Sequence, residues 1–240
     1  MEPLDQGRLI LGSAGPPKQG LCLLLAASLL FAGCENLDEG VASTHTDDLY
    51  VLSTTTWEPG SVIDVCFDSN VAGSDRTAAL VGARVWESLA NISFADVGTC
   101  PGSGFSGIWI TGGDEMVVRG GLGEQADGIS DMEIDTRSGV EGLYGVCTVD
   151  SLSRADCIAR ICVHEFGHSL AFAHEQNRPD NFGQCSIGVG SGSHGDTTYG
   201  EFDVDSVMSY CSNLRELTWA DRRGAVAVYG IAPSLMTSML

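Results

Sequence analysis

The apolar pattern in the first half of the chain predicts strands that alternate with a helix. Residues 62–67 form a β-branched run, VIDVCF, after a Pro-Gly turn, which is typical of a buried strand. Apolar residues then recur at helical spacing, at Ala79, Ala83, Trp86 and Ala90. Ser74 or Asp75 is the expected N-cap of this helix.

Two more strands are predicted after the helix, at residues 92–97 and 107–111. A helix of this length between two strands indicates a β-α-β crossover, and hence a partly parallel sheet. The many glycines and acids of residues 112–128 predict a loop. Residues 132–135 predict a short strand at the edge of the sheet.

The second half predicts two helices separated by an irregular segment. Ser153 and Asp156 form a candidate capping box, from which a helix is expected to run to about Ala171. Residues 180–203 are rich in Gly, Ser, Asp and Asn, so we expect a long loop that forms the wall of a cleft. Residues 219–229 predict a closing helix.

The N-terminal segment has an export pattern. Residues 21–32 are an apolar run that is too short for a bilayer span of ~20 residues but is typical of a secretory signal. The run ends Leu-Phe-Ala-Gly-Cys, which resembles the lipobox of bacterial lipoproteins and implies lipid attachment at Cys34. We expect a signal peptide at residues 1–33 and a tether at 34–56. Plain secretion, or an uncleaved anchor or buried helix, remain alternatives.

Composition and charge narrow the class of protein. The 240 residues are enough for one sizeable domain with a hydrophobic core. The formal net charge of −20 argues against a nucleic-acid partner, because phosphate binding needs a basic face. Strong acidity is typical of a chain that stays soluble outside the cell.

The nine cysteines also favour an exported, oxidising compartment. Cys22 would leave with the signal peptide and Cys34 would carry lipid, so an odd number would remain in the mature chain. Cys162 is the expected free thiol, because it lies inside the second predicted helix. Cys147 and Cys157 flank a short polar segment and could form a disulfide, while the other pairings stay open.

Residues 164–175, HEFGHSLAFAHE, carry the chemistry of the chain. On a helix, His164 and His168 project from one face about one turn apart, so both imidazoles can bind one metal ion. Glu165 lies beside them as a candidate general base, and His174 supplies a third nitrogen. Three neutral nitrogen ligands leave one position open, which is typical of a catalytic Zn²⁺ site.

Two motifs resemble the astacin family of metzincin zinc peptidases. The histidine motif is similar to the metzincin signature, and residues 174–180, HEQNRPD, continue it as astacins do. Residues 202–210, FDVDSVMSY, are similar to the astacin Met-turn. The resemblance implies that Met208 supports the metal site from beneath, and that Tyr210 is a catalytic group close to the metal.

The same resemblance implies a metzincin fold of the α+β class. The expected fold has a twisted, mixed and mostly parallel sheet, two long helices above the cleft, and a smaller irregular C-terminal subdomain ending in a helix. The catalytic domain is predicted at residues 57–231, followed by a tail at 232–240.

The chain departs from the family at the helix end and in its expected N-terminus. Ala171 replaces the signature glycine, and alanine costs about 1–2 kcal/mol if this position needs a positive φ. In astacins the glutamate after the third histidine, here Glu175, is linked to the processed N-terminus. A lipidated Cys34 could not play that part in the same way, so we expect Glu175 to support the site through a local pair with Arg178.

The resemblance implies a zinc metalloendopeptidase with one catalytic Zn²⁺ and polypeptide substrates. Glu165 would take the proton of the attacking water, and Tyr210 would stabilise the oxyanion. We expect a monomer in the bacterial cell envelope, lipid-anchored or secreted, with membrane contact only through the lipid. Two alternatives remain: a zinc-dependent amide hydrolase of cell-wall material, and a catalytically silent binding lipoprotein of metzincin fold.

Overall fold

The computed structural model describes residues 49–118, 121–126, 130–137, 147, 151–190, 192–212 and 216–237. Seven strands lie in these ranges: β1 Leu49–Val51, β2 Val62–Phe67, β3 Ser93–Thr99, β4 Ile108–Gly113, β5 Val117–Val118, β6 Ser130–Asp135 and β7 Thr197–Tyr199. The α-helices in the same ranges are α1 Gly73–Glu87, α2 Arg154–Ser169, α3 Trp219–Tyr229 and α4 Pro233–Thr237.

The central sheet has five strands in the order β3-β2-β4-β6-β5. Its first three neighbouring pairs are parallel, and the short β5 runs antiparallel to β6. Strands β2 and β3 are joined through α1, so the predicted β-α-β crossover is confirmed. The predicted α+β class with a mixed, mostly parallel sheet is also confirmed.

The prediction of an edge strand at residues 132–135 is wrong. These residues belong to β6, which lies inside the sheet because β5 pairs with its outer side. Strand β5 falls in the predicted loop at 112–128, where Val117 lies opposite Glu133. A strand of two residues is too short to show an alternating pattern, so the sequence did not predict it.

Helices α1 and α2 pack against each other and are joined by polar contacts near both ends of α1. Helix α1 begins without a side-chain cap, so the predicted N-cap at Ser74 or Asp75 is wrong. Asp75 is instead buried in the first turn, where it accepts a hydrogen bond from Arg154 of α2 at 2.9 Å. Farther along α1, Trp86 Nε1 donates to the carbonyl of Val163 at 2.8 Å. These contacts fix how the two helices align.

The fold extends beyond the predicted domain boundaries at both ends. Strand β1 pairs antiparallel with β7, and Leu49 and Val51 are fully buried, so residues 49–56 are not part of a tether. A strand whose partner lies so far along the chain has no local signal in the sequence. Helix α4 lies within the predicted tail, anchored by Ala232, whose N–H donates to the carbonyl of Leu89 at 2.9 Å.

The cysteines of the described ranges form three disulfides, Cys66–Cys100, Cys147–Cys157 and Cys185–Cys211. Cys162 is buried and free, so its predicted state and the expected Cys147–Cys157 bond are both confirmed. The predicted signal peptide at residues 1–33 and lipid site at Cys34 lie outside the described residues. In the part of the chain that the structure describes, no helix has the length and apolar character to cross a membrane.

A substitution at Gly82 of α1 tests how closely α1 and α2 pack. A Cβ at Gly82 would lie 2.7 Å from the Cβ of Cys162 and 2.8 Å from the carbonyl oxygen of Ala159. Gly82→Ala should therefore push the helices apart and lower the free energy of unfolding by about 1–3 kcal/mol. Gly73→Ala is the control, because nothing lies within 4 Å of its new Cβ. Equal denaturant midpoints for Gly82→Ala and the unmodified protein would contradict this packing.

Candidate metal centre

Helix α2 presents the first two predicted ligands on its buried face. Ser153 begins the helix, since its Oγ accepts a hydrogen bond from the N–H of Asp156 at 3.2 Å, as predicted. His164 and His168 follow one turn apart, with their ring centroids 4.6 Å from each other. The helix ends at Ser169, slightly earlier than the sequence predicted.

The chain reverses direction immediately after α2, around Ala171. This residue has a φ of 66°, so the positive φ considered for the signature-glycine position is observed. The N–H of Ala171 donates to the carbonyl of His168 at 2.9 Å, and that of Phe172 donates to Gly167 at 3.0 Å. This pair of bonds is a Schellman motif, which normally has glycine at its left-handed residue. Alanine occupies that position here.

Strand β1 guides the chain away from the reversal. The N–H of Leu52 donates to the carbonyl of Ala171 at 2.9 Å, and the N–H of Ala173 donates to that of Tyr50 at 2.7 Å. These bonds fix the path of the residues that lead to His174. A segment that the sequence predicted as tether thus helps to bring the third ligand back against α2.

The three histidines meet at one buried point. One ligand atom from each of His164, His168 and His174 lies within 4.8 Å of the others. Nδ1 of His164 lies 2.7 Å from the carbonyl oxygen of Val207, and Nδ1 of His168 lies 2.7 Å from that of Phe172. Because a carbonyl can only accept, each Nδ1 carries the hydrogen and each Nε2 keeps its lone pair for a metal.

Burial keeps the imidazoles of His164 and His168 neutral. Burial lowers the pKa of His164 to about 4. Burial, together with the neighbouring His164 and His174, also holds the pKa of His168 well below its ordinary value. A metal ligand must be the neutral imidazole, so these residues are ready to bind at neutral pH. Three nitrogen donors fit Zn²⁺ and leave its fourth position open, as in catalytic sites.

Glu165 lies beside the first ligand with its side chain buried. Its Oε2 accepts a hydrogen bond from the N–H of Val118 in β5 at 3.0 Å. Burial raises the pKa of Glu165 to about 8, and this hydrogen bond opposes the rise. The sequence did not predict the contact, because a backbone N–H leaves no residue signature. The contact places the short strand β5 at the margin of the metal site.

Part of the loop predicted at residues 180–203 lies against the third ligand. A Cβ at Gly192 would be 2.6 Å from Cε1 of His174, so the loop backbone passes directly along the ring. The Asn177 side chain holds this segment, because its Nδ2 donates to the carbonyl of Ser193 at 2.9 Å. Whether this loop also forms the wall of a substrate cleft stays a prediction.

Met208 lies beneath α2 in the segment 206–210, here called the Met-turn. Gly167 is the residue before His168 in α2. A Cβ added at Gly167 would have Sδ of Met208 as its nearest neighbour. The carbonyl of Met208 accepts a hydrogen bond from the N–H of Glu175 at 3.0 Å. Met208 is fully buried and stands between α2 and the segment that follows the third ligand.

Tyr210 stands at the open side of the histidine cluster. Its ring centroid lies 4.3 Å from that of His174 and 6.1 Å from that of His164. Its N–H donates to Oε1 of Gln176 at 3.0 Å, and the next residue is bonded to Cys185. The side chain is 43% exposed, unlike the buried histidines, so it can meet a molecule from solvent.

Glu175 forms the local pair that the sequence predicted. Its Oε1 lies 3.2 Å from Nη1 of Arg178, and both side chains are fully buried. Arg178 also donates to Asp180 at 2.8 Å and to the carbonyl of Tyr199 at 2.9 Å. This arginine therefore ties the turn after the third ligand to strand β7.

The strained backbone at Ala171 gives a test of the reversal. Ala171→Gly removes a left-handed cost of about 1–2 kcal/mol. It also removes one buried methyl group, worth about 0.8 kcal/mol, and raises the conformational entropy of the unfolded chain. Both of these effects lower stability. We expect a change of less than about 1 kcal/mol in the free energy of unfolding, measured by urea titration.

Ala171→Val is the contrasting variant, because a β-branched residue is far less tolerated at positive φ. Ala171→Val should lower the free energy of unfolding. This loss should be larger than the change, of either sign, that Ala171→Gly produces. A valine variant as stable as the unmodified protein would mean that this residue does not hold the left-handed conformation.

Comparisons with known proteins bear on the fold. No protein-family model matches the sequence, and neither does any curated protein. Among solved structures, myroilysin matches with a TM-score of 0.56 at 23% identity, over 75% of this chain and 97% of that one. Another structure of myroilysin, a crystal structure, gives a TM-score of 0.51 at 21% identity, over 73% of this chain and 86% of that one.

A third similar structure comes from the medaka fish, Oryzias latipes. It is high choriolytic enzyme 1, a hatching enzyme zinc-protease, with a TM-score of 0.52 at 17% identity, over 74% of this chain and 95% of that one. Likeness at these identities bears on the fold. The described part of the chain has the fold of myroilysin and of high choriolytic enzyme 1.

Proposed function

We propose that this chain is a zinc metalloendopeptidase that hydrolyses peptide bonds in polypeptides. One observation carries the proposal: three buried histidines converge on one point, and Glu165 lies beside them. The fold supports it, because high choriolytic enzyme 1 has a similar fold and is a zinc protease.

His164, His168 and His174 are the residues that would hold the metal. A zinc ion bound by them would lower the pKa of water at its open position towards ~7 and polarise a substrate carbonyl. The chain itself supplies neutral imidazoles and fixes two of them through the carbonyls of Val207 and Phe172. Because the site is buried, its effective dielectric constant is lower than that of water, so interactions between charges there are stronger.

Glu165 is the proposed general base. Its carboxylate accepts a proton from the attacking water and then passes that proton to the nitrogen of the leaving amine, so it ends in its starting state. Burial raises the pKa of Glu165 to about 8 and so favours the acid form, whereas the Val118 N–H, which holds one carboxylate oxygen, favours the charged form that can accept the proton. The positive charge of a zinc ion held by the neighbouring histidines would favour the charged form further.

Tyr210 is the proposed donor to the oxyanion that forms on the scissile carbonyl. Burial raises the pKa of Tyr210, so its hydroxyl keeps the hydrogen that it must donate. Met208 and Glu175 are proposed as supports of the site, since they pack or bond around the ligands and neither belongs to the metal-binding group.

We further propose that the chain acts outside the cytoplasm as a monomer. Three disulfides support an oxidising compartment. A signal peptide at residues 1–33, a lipid on Cys34 and a tether that ends before β1 would place the domain at a bacterial membrane surface. Secretion without the lipid is the alternative.

Glu165→Gln is the direct test, because it keeps the side chain's size and removes its basicity. The unmodified protein should digest casein, lose this activity to a chelator and regain it with zinc. Glu165→Gln should bind one zinc per chain and hydrolyse casein at least ~10²-fold more slowly. Glu58→Gln, at an exposed turn, is the matched control and should keep full activity.

Each alternative has its own outcome in this experiment. Casein digestion retained in Glu165→Gln would overturn the assignment of the base. Digestion of peptidoglycan but not of denatured protein would favour the cell-wall amide hydrolase. Zinc binding with hydrolysis of neither material would favour a silent binding protein.

Tyr210→Phe tests the proposed oxyanion donor. Loss of the hydroxyl should lower kcat by about 10²-fold and leave KM nearly unchanged, because the donor acts mainly in the transition state. Tyr199→Phe removes the same group from a side chain that packs against the core, and should have little effect. A Tyr210→Phe enzyme with unchanged kcat would show that this hydroxyl takes no part in the reaction.

A further inference from the structure

Asp221 is a buried carboxylate that no step of the proposed mechanism uses. It lies in the first turn of α3, is fully buried, and accepts hydrogen bonds from three groups. Its Oδ1 accepts from Ser206 Oγ at 2.6 Å. Its Oδ2 accepts from the N–H groups of Val207 and Thr218, each at 2.9 Å.

These bonds control the peptide group that holds a metal ligand. The carbonyl of Val207, which accepts from His164 Nδ1, shares one peptide plane with the N–H of Met208. That N–H donates to Ser206 Oγ at 3.0 Å, and Ser206 in turn donates to Asp221. The preceding peptide plane is held by Asp221 directly, through the Val207 N–H. One carboxylate therefore fixes the planes on both sides of Val207.

Helix capping accounts for only part of this arrangement. Thr218 and Asp221 do form a capping box at the start of α3. That box uses Oδ2 and backbone groups of α3, whereas Oδ1 is directed to the Met-turn. Burial raises the pKa of Asp221 to about 6, opposed by its hydrogen bonds, so the group is mainly ionised at neutral pH. A buried charge is costly unless it is compensated, and most of the compensation here comes from the Met-turn.

We propose that Asp221 is a positioning residue for the metal, which orients the Val207 carbonyl and thereby the ring and tautomer of His164. The proposal rests on the zinc site proposed above. Groups that orient a metal-binding histidine commonly change metal affinity by 10–100-fold when they are removed. Asp221 acts one residue farther away, so the lower end of that range is expected.

Asp221→Ala is compared with Thr218→Ala, because both break the helix cap and only the first releases the Met-turn. Zinc affinity is measured by competition with a chromogenic chelator. The geometry of the ligands is measured from the visible absorption bands of the Co²⁺-substituted protein. We expect Asp221→Ala to bind zinc about tenfold more weakly, with shifted bands. Thr218→Ala should lower the melting temperature but keep the zinc affinity and spectrum of the unmodified protein.

Asp221→Asn should rescue both readouts. Its one oxygen can accept from Val207 and Thr218, while its amide donates to Ser206 Oγ, which has a second lone pair. Equal zinc affinities and equal cobalt spectra for Asp221→Ala and Thr218→Ala would overturn the proposal, since Asp221 would then be only a cap.

Ser206→Ala provides the test if Asp221→Ala does not fold. It removes the link between Asp221 and the Met208 N–H but keeps the bond to Val207. We expect the zinc affinity of Ser206→Ala to fall about threefold, less than the tenfold loss expected for Asp221→Ala. The absorption bands of its Co²⁺-substituted form should also shift. An unchanged affinity and spectrum would contradict the proposal. Both readouts are taken without substrate, so a failure of the proposed peptidase activity would leave this test intact.

Discussion

The site depends on keeping three imidazoles buried, and on holding two of them, His164 and His168, neutral and in one tautomer. A protonated ring cannot bind a metal, and a ring free to rotate would spend little time in the right orientation. Burial supplies the neutrality, which is why the pKa values of His164 and His168 lie below the ordinary range. Backbone carbonyls supply the orientation, at Val207 for the first ligand and at Phe172 for the second. The rest of the fold determines where the carbonyls of Val207 and Phe172 lie.

Short elements accomplish most of this placement. The reversal at Ala171 sets the Phe172 carbonyl against His168, and β1 directs the chain on to the third histidine. The Met-turn sets the Val207 carbonyl against His164, and the carboxylate at the start of α3 secures that turn. The sheet and the two long helices give these pieces a rigid support, which sites of this kind need.

The parts of the molecule that the sequence predicted well are those with local signals. Helical spacing predicted α2, and the histidine motif predicted that His164, His168 and His174 would converge. Ala171, where the signature has glycine, marked the position at which a positive φ was considered and is observed. Strand β1 and the Val118 contact to Glu165 were missed, because each joins segments far apart through backbone groups. The sequence predicted the closing helix that contains Asp221, but no role for this residue. Its role in the Met-turn depends on which turn packs beside α3, which has no local signal.

The central claim is that His164, His168 and His174 together bind one zinc ion with an open position. X-ray absorption spectroscopy of the purified zinc-loaded protein tests this most directly. We expect one zinc per chain with three imidazole nitrogens at about 2.0–2.1 Å and one oxygen from solvent. Four protein ligands, a sulfur ligand at about 2.3 Å, or a failure to retain stoichiometric zinc would contradict the account.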